Sequence, residues 1–275
     1  MAVCSVRRAV AITTAVVPVA GLATRLRPLS RGVPKGLLPV AGRPVIQHIV
    51  DELAACGIER VVLVTGRGRA AFAAHFADGR GPEMACVDQP EPLGLGDAIL
   101  RAAPLIDGPF VIALGDALLG RGAPARTVQR LVAAVEAGAG AAVAVEEVAA
   151  DDTRRYGIVT PAGEGDPFPI AGVVEKPAPE TAPSRLAVAG RYAATPSLLD
   201  ALRDTPRDSG GEVQLSDALS AVDGVVALRL APGEERLDVG TVPGYCAAFV
   251  EYALSDAELG PALRARAATL LDGQR

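Results

Sequence analysis

Residues 109–116 read Pro-Phe-Val-Ile-Ala-Leu-Gly-Asp, and this stretch decides the fold. Pro109–Leu114 is a short, unbroken apolar run with Gly on either side, too short for a core helix and rich in residues that favour strands. A strand apolar at every position is buried on both faces, which is the situation inside a parallel sheet covered by helices. The neighbouring segments fit. Asp97–Ala103 before it and Thr127–Ala137 after it have helical periodicity. Further out, Ala15–Ala20, Arg60–Thr65 (RVVLVT), Met84–Asp88 and Ala141–Glu147 read as strands, and Pro44–Cys56 and Ala70–Phe76 as helices. In Pro44–Cys56, Ile46, Ile49, Val50, Leu53 and Ala54 share one face, and Gly57 closes the helix. Strand and helix alternate as in a doubly wound α/β sheet.

The rhythm changes after Glu147. Between Tyr156 and Ala193 short β-like pieces (GIVT, AGVVEK, LAVAGRYA) are broken by Pro and Gly, and Pro177–Pro183 reads as loop. The expectation is a set of antiparallel strands building a second wall over the first half. Helices over Leu198–Leu202 and Gln214–Val222, a strand over Val225–Leu230 and a helical part from Gly244 to Leu254 follow. With no internal repeat and no long low-complexity linker, the chain is expected to be one domain over residues 1–275. Its halves are expected at about 9–150 and about 151–255, the C-terminal helices included in the second.

Composition narrows the function classes. The 275 residues are 50% hydrophobic and 21% charged with a net charge of −5, which describes a core-forming chain and not a disordered one. Aromatics are 3%, Trp is absent and no basic stripe is present, which argues against nucleic acid as a partner. Cys4, Cys56, Cys86 and Cys246 are widely separated and read as reduced thiols of a cytoplasmic protein. Arg7-Arg8 followed by apolar Ala9–Ala20 has the outline of a leader, but Pro18 and the polar loop after it favour a first buried strand. No apolar run reaches the ~18 residues of a membrane span.

Several segments carry chemistry. Gly21-Leu-Ala-Thr-Arg25 follows the first strand and Pro34-Lys35 comes soon after. Backbone N–H groups with Arg and Lys form either an anion cradle or an ordinary turn with solvated cations. Asp116 ends the buried strand at the edge where open α/β sheets bind ligands, as a ligand of Mg²⁺ or as a helix N-cap. Asp238, in Leu-Asp-Val-Gly240, is either a second ligand or a turn residue. Gln89-Pro-Glu-Pro-Leu-Gly94 leads from a strand to a helix, so that its amide either meets the edge of a base or simply lines a loop. Glu175-Lys176-Pro177 is either a surface ion pair or a binding element, with Pro177 expected to hold Lys176 extended. Of 27 Lys and Arg residues only Lys35 and Lys176 are lysines. A lysine kept in so Arg-biased a chain suggests a place for a compact, flexible ammonium.

Taken in order, these segments form a series: Val-Ala20-Gly21-x-x-Thr-Arg25-x-x-Pro28, Pro34-Lys35-x-x-Leu-Pro39, Arg43-Pro44-x-Ile-Gln47, Val-Thr65-Gly-Arg67-Gly, Gln89-x-Glu-Pro-Leu-Gly94-Leu-Gly96, Leu-Gly115-Asp116, Val-Glu175-Lys176-Pro177, Gly190-Arg-Tyr192, Gly211-Glu212-Val-Gln214-Leu-x-Asp217-Ala and Asp238-x-Gly240-x-x-x-Gly244-Tyr245. From about Ala15 to Leu254 the chain resembles the bacterial UTP:glucose-1-phosphate uridylyltransferases, within the sugar-1-phosphate nucleotidyltransferases. The resemblance implies a Rossmann-like fold with a central mixed, mainly parallel sheet flanked by helices. It implies an NTP over the first half and a sugar 1-phosphate against the second, joined with release of pyrophosphate. Ala20, Gly21 and Arg25 would meet the nucleotide and its phosphates, Lys35 the α-phosphate, and Gln89 and Gly94 the base. Asp116 and Asp238 would hold Mg²⁺. Lys176 would take the sugar phosphate, and Gly157, Glu175 and Gly190 the sugar. A homo-oligomer is implied as well.

The attacking phosphate oxygen is already anionic, so the reaction needs charge neutralisation and alignment, not a general base. A chain with only two histidines, His48 and His75, suits it. UTP and glucose 1-phosphate are the expected pair, with dTTP, GTP or a modified sugar or cyclitol phosphate as the alternative and a non-catalytic paralogue behind that. Departures from the family pattern bear on this choice: Ala23 for a glycine, Gly36 for Glu, Asp97 for His, Ala117 for a second Asp and Val242 for Lys, with a shortened stretch between Phe76 and Cys86.

Overall fold

Strand β1 (Thr14–Pro18) shows in five residues how the protein is layered. Side chains alternate across a strand, and Ala15 and Val17 enter one hydrophobic cluster while Val16 enters the other. The computed structural model describes residues 11–272 except 22 and 121–124; Cys4, Arg7 and Arg8 lie outside the described residues.

After β1 come the short strands β2 (Pro39–Val40) and β3 (Arg43–Pro44), then α1 (Val45–Ala55), β4 (Arg60–Thr65), α2 (Arg69–His75), β5 (Glu83–Asp88) and α3 (Leu95–Ala102). Next are β6 (Phe110–Ala113), β7 (Ala117–Gly120), α4 (Arg126–Glu136), β8 (Ala141–Glu147), β9 (Gly157–Pro161), β10 (Phe168–Glu175) and β11 (Leu186–Ala194). The chain continues through α5 (Ser197–Asp204), α6 (Leu215–Ser220), β12 (Val225–Arg229), β13 (Glu235–Asp238), α7 (Val242–Ser255) and α8 (Gly260–Asp272).

Among the described residues the main sheet has the order β5-β4-β1-β6-β11-β8-β12-β10-β9. The sheet is mixed, with seven strands running one way and β10 and β11 the other, so that four pairings are parallel and five antiparallel. Helices α1, α2, α4 and α7 cover one face and α3, α5 and α6 the other. The chain winds outward from β1 to β4 and β5, then returns to place β6 on the other side of β1. The carboxyl ends of β1 and β6 therefore border the topological switch point, where open α/β sheets have their crevice.

The antiparallel strands expected between Tyr156 and Ala193 are β9, β10 and β11. They belong to the main sheet, and β11 is inserted between β6 and β8. Its register shifts between Val188 and Tyr192, around Gly190 with φ 78°, and its first half also pairs with β9. A bulge bends a strand and increases its twist. The pairing circuit β11-β8-β12-β10-β9 thereby closes back on β11, and one curled sheet supplies both sides of the cleft. A two-stranded ladder unseen in the sequence joins β7 to β13 and sets Asp238 opposite Ala117. No helix among the described residues is long and apolar enough to cross a membrane.

Candidate active site

Two adjoining clefts lie at the carboxyl ends of β1 and β6. One, of about 290 Å³, is lined by Ala20, Gly21, Lys35, Gln89, Gly94 and Asp116 among others. The second, of about 330 Å³, is lined by Arg25, Asp116, Gly157, Glu175, Lys176, Gly190 and Asp238, with Arg155, Tyr192 and Ser216. Every site residue expected from sequence lines one of the two, and Asp116 lines both.

Asp116 follows β6, and its carboxylate is paired with the Lys35 ammonium, which sits on a single turn of 3-10 helix, Lys35–Leu37. Burial raises the carboxyl, but Lys35, helped by Arg25, outweighs it and holds Asp116 below the usual carboxylate range. A Cβ on Gly240 would lie 2.9 Å from Asp238 Oδ1, 3.6 Å from Asp116 Oδ2 and 3.7 Å from Arg25 Nη2. Two carboxylates and a guanidinium thus crowd one backbone position. Asp238 Oδ1 accepts from Gly240 N at 2.8 Å, and Oδ2 faces Arg155 Nη2 at 3.3 Å. Among the described residues no cluster of three or more Asp, Glu, His or Cys side chains could hold a metal. Two hard oxygen donors at one point suit Mg²⁺, which takes its other ligands from phosphate and water.

On the far wall, Lys176 Nζ is 2.9 Å from Glu175 Oε1. Lys176 corrects the extended backbone expected before Pro177. Its φ is +46°, a left-handed conformation costly for a residue with a Cβ. Its N–H donates to Tyr156 O at 3.0 Å, closing the β9–β10 ladder just where the chain turns away. A strained residue of this kind persists only where its surroundings hold it, and such residues gather at ligand sites. Gly157 leaves little room for a side chain, since a Cβ there would stand 3.0 Å from Val173 Cγ1 and 3.3 Å from Glu175 Oε2. Burial, reinforced by Glu175, pushes the Tyr192 phenol up, so it stays neutral.

Some residues were missed from sequence. Arg155 reaches Asp238, and the Tyr156 ring has the guanidinium carbons of Arg155 and Arg236 within 5.2 Å and 3.7 Å of its centroid. Their only local signal is position, immediately before Gly157. Ser216 was missed for another reason: its Oγ is buried without a hydrogen-bond partner, which no sequence pattern reports.

The departures from the family pattern take on physical meaning here. Gly36 is buried, and a Cβ on it would stand 3.2 Å from Phe72 Cε1, so the Phe72 ring fills the space that a longer side chain would need. Ala23 holds a left-handed conformation, φ 49° and ψ 37°, which glycine would adopt more cheaply. Ala117 offers its carbonyl to the buried Arg191. Val242 is exposed at the start of α7. Asp97 binds the amide of Gln89.

Comparison with known proteins places these features in context. The nucleotidyl transferase family description matches residues 14–255. A UTP–glucose-1-phosphate uridylyltransferase of Staphylococcus epidermidis is 35% identical, with the match covering 92% of this chain and 96% of that one. A UTP-bound UDP-glucose pyrophosphorylase from Acinetobacter baumannii superposes with a TM-score of 0.82 at 30% identity, covering 94% of this chain and 99% of the other. A UDP-glucose pyrophosphorylase complexed with UDP-glucose gives 0.79 at 30% identity, covering 89% and 100%.

Proposed function

The chain belongs to the nucleotidyl transferase family, and from that premise we propose that it joins UTP to glucose 1-phosphate, forming UDP-glucose and releasing pyrophosphate. The observation that carries this reading is the pair of clefts meeting at Asp116. One has an amide and glycine backbone suited to a base, and the other a carboxylate and an ammonium suited to a sugar phosphate.

In this reading UTP lies across Ala20, Gly21, Gln89 and Gly94, with its phosphates reaching Arg25 and Lys35. Gly157, Glu175 and Gly190 hold the glucose hydroxyls, and Lys176 holds the phosphate of glucose 1-phosphate. A phosphate oxygen of the sugar then attacks the α-phosphorus in line and pyrophosphate departs opposite. Because that oxygen is anionic, these residues align the reactants and neutralise charge without removing a proton. Asp116 and Asp238 would hold Mg²⁺, which when bound supplies further charge neutralisation at the phosphates. Lys35 is free to turn from Asp116 towards the α-phosphate, and Arg155 from Asp238 towards the sugar phosphate. A cytoplasmic location matches the substrates. A homo-oligomer matches the exposed Phe249, Val250, Leu270 and Leu271 on α7 and α8.

The test is pyrophosphate release over a panel of NTPs and sugar 1-phosphates with Mg²⁺. UTP with glucose 1-phosphate should be the fastest pair, and no release from any pair at enzyme concentrations near those of substrate would overturn the reading. Asp116→Asn and Asp238→Asn should each abolish turnover while leaving the circular dichroism spectrum unchanged.

A further inference from the structure

Gln89 leaves β5 with its backbone tied down, its N–H donating to Thr65 O at 2.8 Å. Its side chain is almost fully buried, at 7% exposure, on the wall of the nucleotide cleft. The amide nitrogen Nε2 donates to Gly94 O at 3.0 Å and to Asp97 Oδ2 at 2.9 Å. A peptide carbonyl and a carboxylate are both acceptors, so only the NH₂ end of the amide satisfies them. The flipped amide would set its oxygen against two oxygens at a nearly buried position, leaving two hydrogen bonds unmade. Oε1 is therefore turned the other way, and it receives no hydrogen bond among the described residues.

Asp97 is itself held. It lies in the first turn of α3, where a negative charge is favoured by the exposed N–H groups, and Arg101 one turn later approaches its other oxygen at 3.3 Å. The family pattern has histidine at this position, and an imidazole donates or accepts according to its tautomer. An aspartate at this position only accepts.

We propose that Asp97 is a specificity-determining positioning residue: by holding Gln89 Nε2 it presents Gln89 Oε1 as an acceptor, selecting bases whose edge carries a ring N–H. Uracil and thymine have an imide N–H and guanine an N1–H, while cytosine N3 and adenine N1 are acceptors that would face Oε1 with no proton between them. Asp97 does not touch the base; it acts through Gln89. The inference rests on the reading of Gln89 as a base contact made above, and it adds what sets the sign of that contact. It predicts discrimination of UTP from CTP and little between UTP and dTTP at this residue, so a choice of ribose over deoxyribose is made elsewhere.

The experiment uses the full-length chain, UTP and CTP as probes, and two readouts: pyrophosphate release with saturating glucose 1-phosphate, and calorimetric binding of each NTP without sugar phosphate. The wild type should prefer UTP in both. Asp97→Ala should lower the UTP-to-CTP ratio of kcat/KM by about tenfold, as expected for a lost acceptor in a buried network. The loss should appear mainly in KM for UTP, with KM for glucose 1-phosphate unchanged. Asp97→Asn, whose Oδ1 still accepts from Gln89, should restore the ratio. A purely structural role would lower stability and weaken both nucleotides alike, so an unchanged ratio in Asp97→Ala overturns the proposal, as does a wild type that binds CTP as well as UTP. Binding that prefers UTP and responds to Asp97, with no pyrophosphate released from any pair, would support the inference while overturning the proposed reaction.

Discussion

Removing the carboxylate of Glu52 should destabilise the protein far more than removal of any surface charge. Arg191, between Gly190 of the cleft wall and Tyr192, is fully buried, and its Nε and Nη2 donate to Glu52 Oε1 and Oε2 at 3.0 Å and 2.7 Å. Two further donors, on Nη1 and Nη2, reach Gly190 O at 3.2 Å and Ala117 O at 3.0 Å. One guanidinium thus ties α1, β11 and the residue after Asp116 together. Glu52→Ala leaves that guanidinium buried with only neutral carbonyl partners, and loss of one member of a buried pair costs about 3–5 kcal/mol. The exposed Arg203–Asp200 pair contributes no more than about 1 kcal/mol. At roughly 2–4 °C of Tm per kcal/mol for a chain of this size class, Glu52→Ala should melt about 6–20 °C lower. Urea denaturation followed by circular dichroism, with the slope m checked against wild type, gives the free energy. The double variant Glu52→Leu/Arg191→Met removes both charges and should recover most of the loss. A cost below ~1 kcal/mol for Glu52→Ala would refute the claim that the pair is desolvated and indispensable once formed.

Gly36→Glu restores the residue of the family pattern but places a Cβ against Phe72 and buries an unpaired carboxylate, so it should cost about 3 kcal/mol or more. Wild-type stability in that variant would show that Phe72 does not fill the space. Ser216→Ala should raise stability by about 1 kcal/mol by removing an unpartnered buried hydroxyl, and should raise KM for glucose 1-phosphate if that hydroxyl meets the sugar. A fall in Tm would show that the hydroxyl has a partner in the folded protein. Because the folded-state pKa of Asp116 is depressed, the stability its ionisation contributes is complete above an unfolded value of about 3.9 and is lost as pH falls through the folded value. The stability difference between wild type and Asp116→Asn, measured by urea midpoints, should hold steady from pH 7 to 5 and shrink only below about pH 4.

Much of the architecture was legible because it depends on local pattern. Arg60–Thr65 and Ala141–Glu147 were read at their full extents, since an unbroken apolar run between turn residues leaves few alternatives to a buried strand. The helix over Val45–Ala55 announced its inner face through its 3.6-residue period. Lys35, Gln89 and Asp116 stood out because each lies in the loop or turn just after or between such strands, where a polar side chain has no packing duty. Periodicity assigns a residue to a face of an element; it does not say which element lies next to it. The insertion of β11 between β6 and β8, and the ladder that brings Asp238 beside Asp116, join segments distant in the chain and were decided only when the whole sheet closed.

Lys176 shows the same division at a single residue. Its sequence neighbour Pro177 argued for an extended backbone, but the hydrogen bond to Tyr156 O and the turn out of β10 impose a left-handed one. The sequence by itself therefore determined the class of sheet, the covering helices and the set of polar side chains that line the two clefts. The tertiary structure alone decided which carboxylates meet, that Arg155 faces Asp238, and that the Gln89 amide nitrogen lies against Asp97. Local propensity depends on residues within a few positions of one another. Charge pairing and amide orientation depend on atoms that only the packed fold brings within 3 Å.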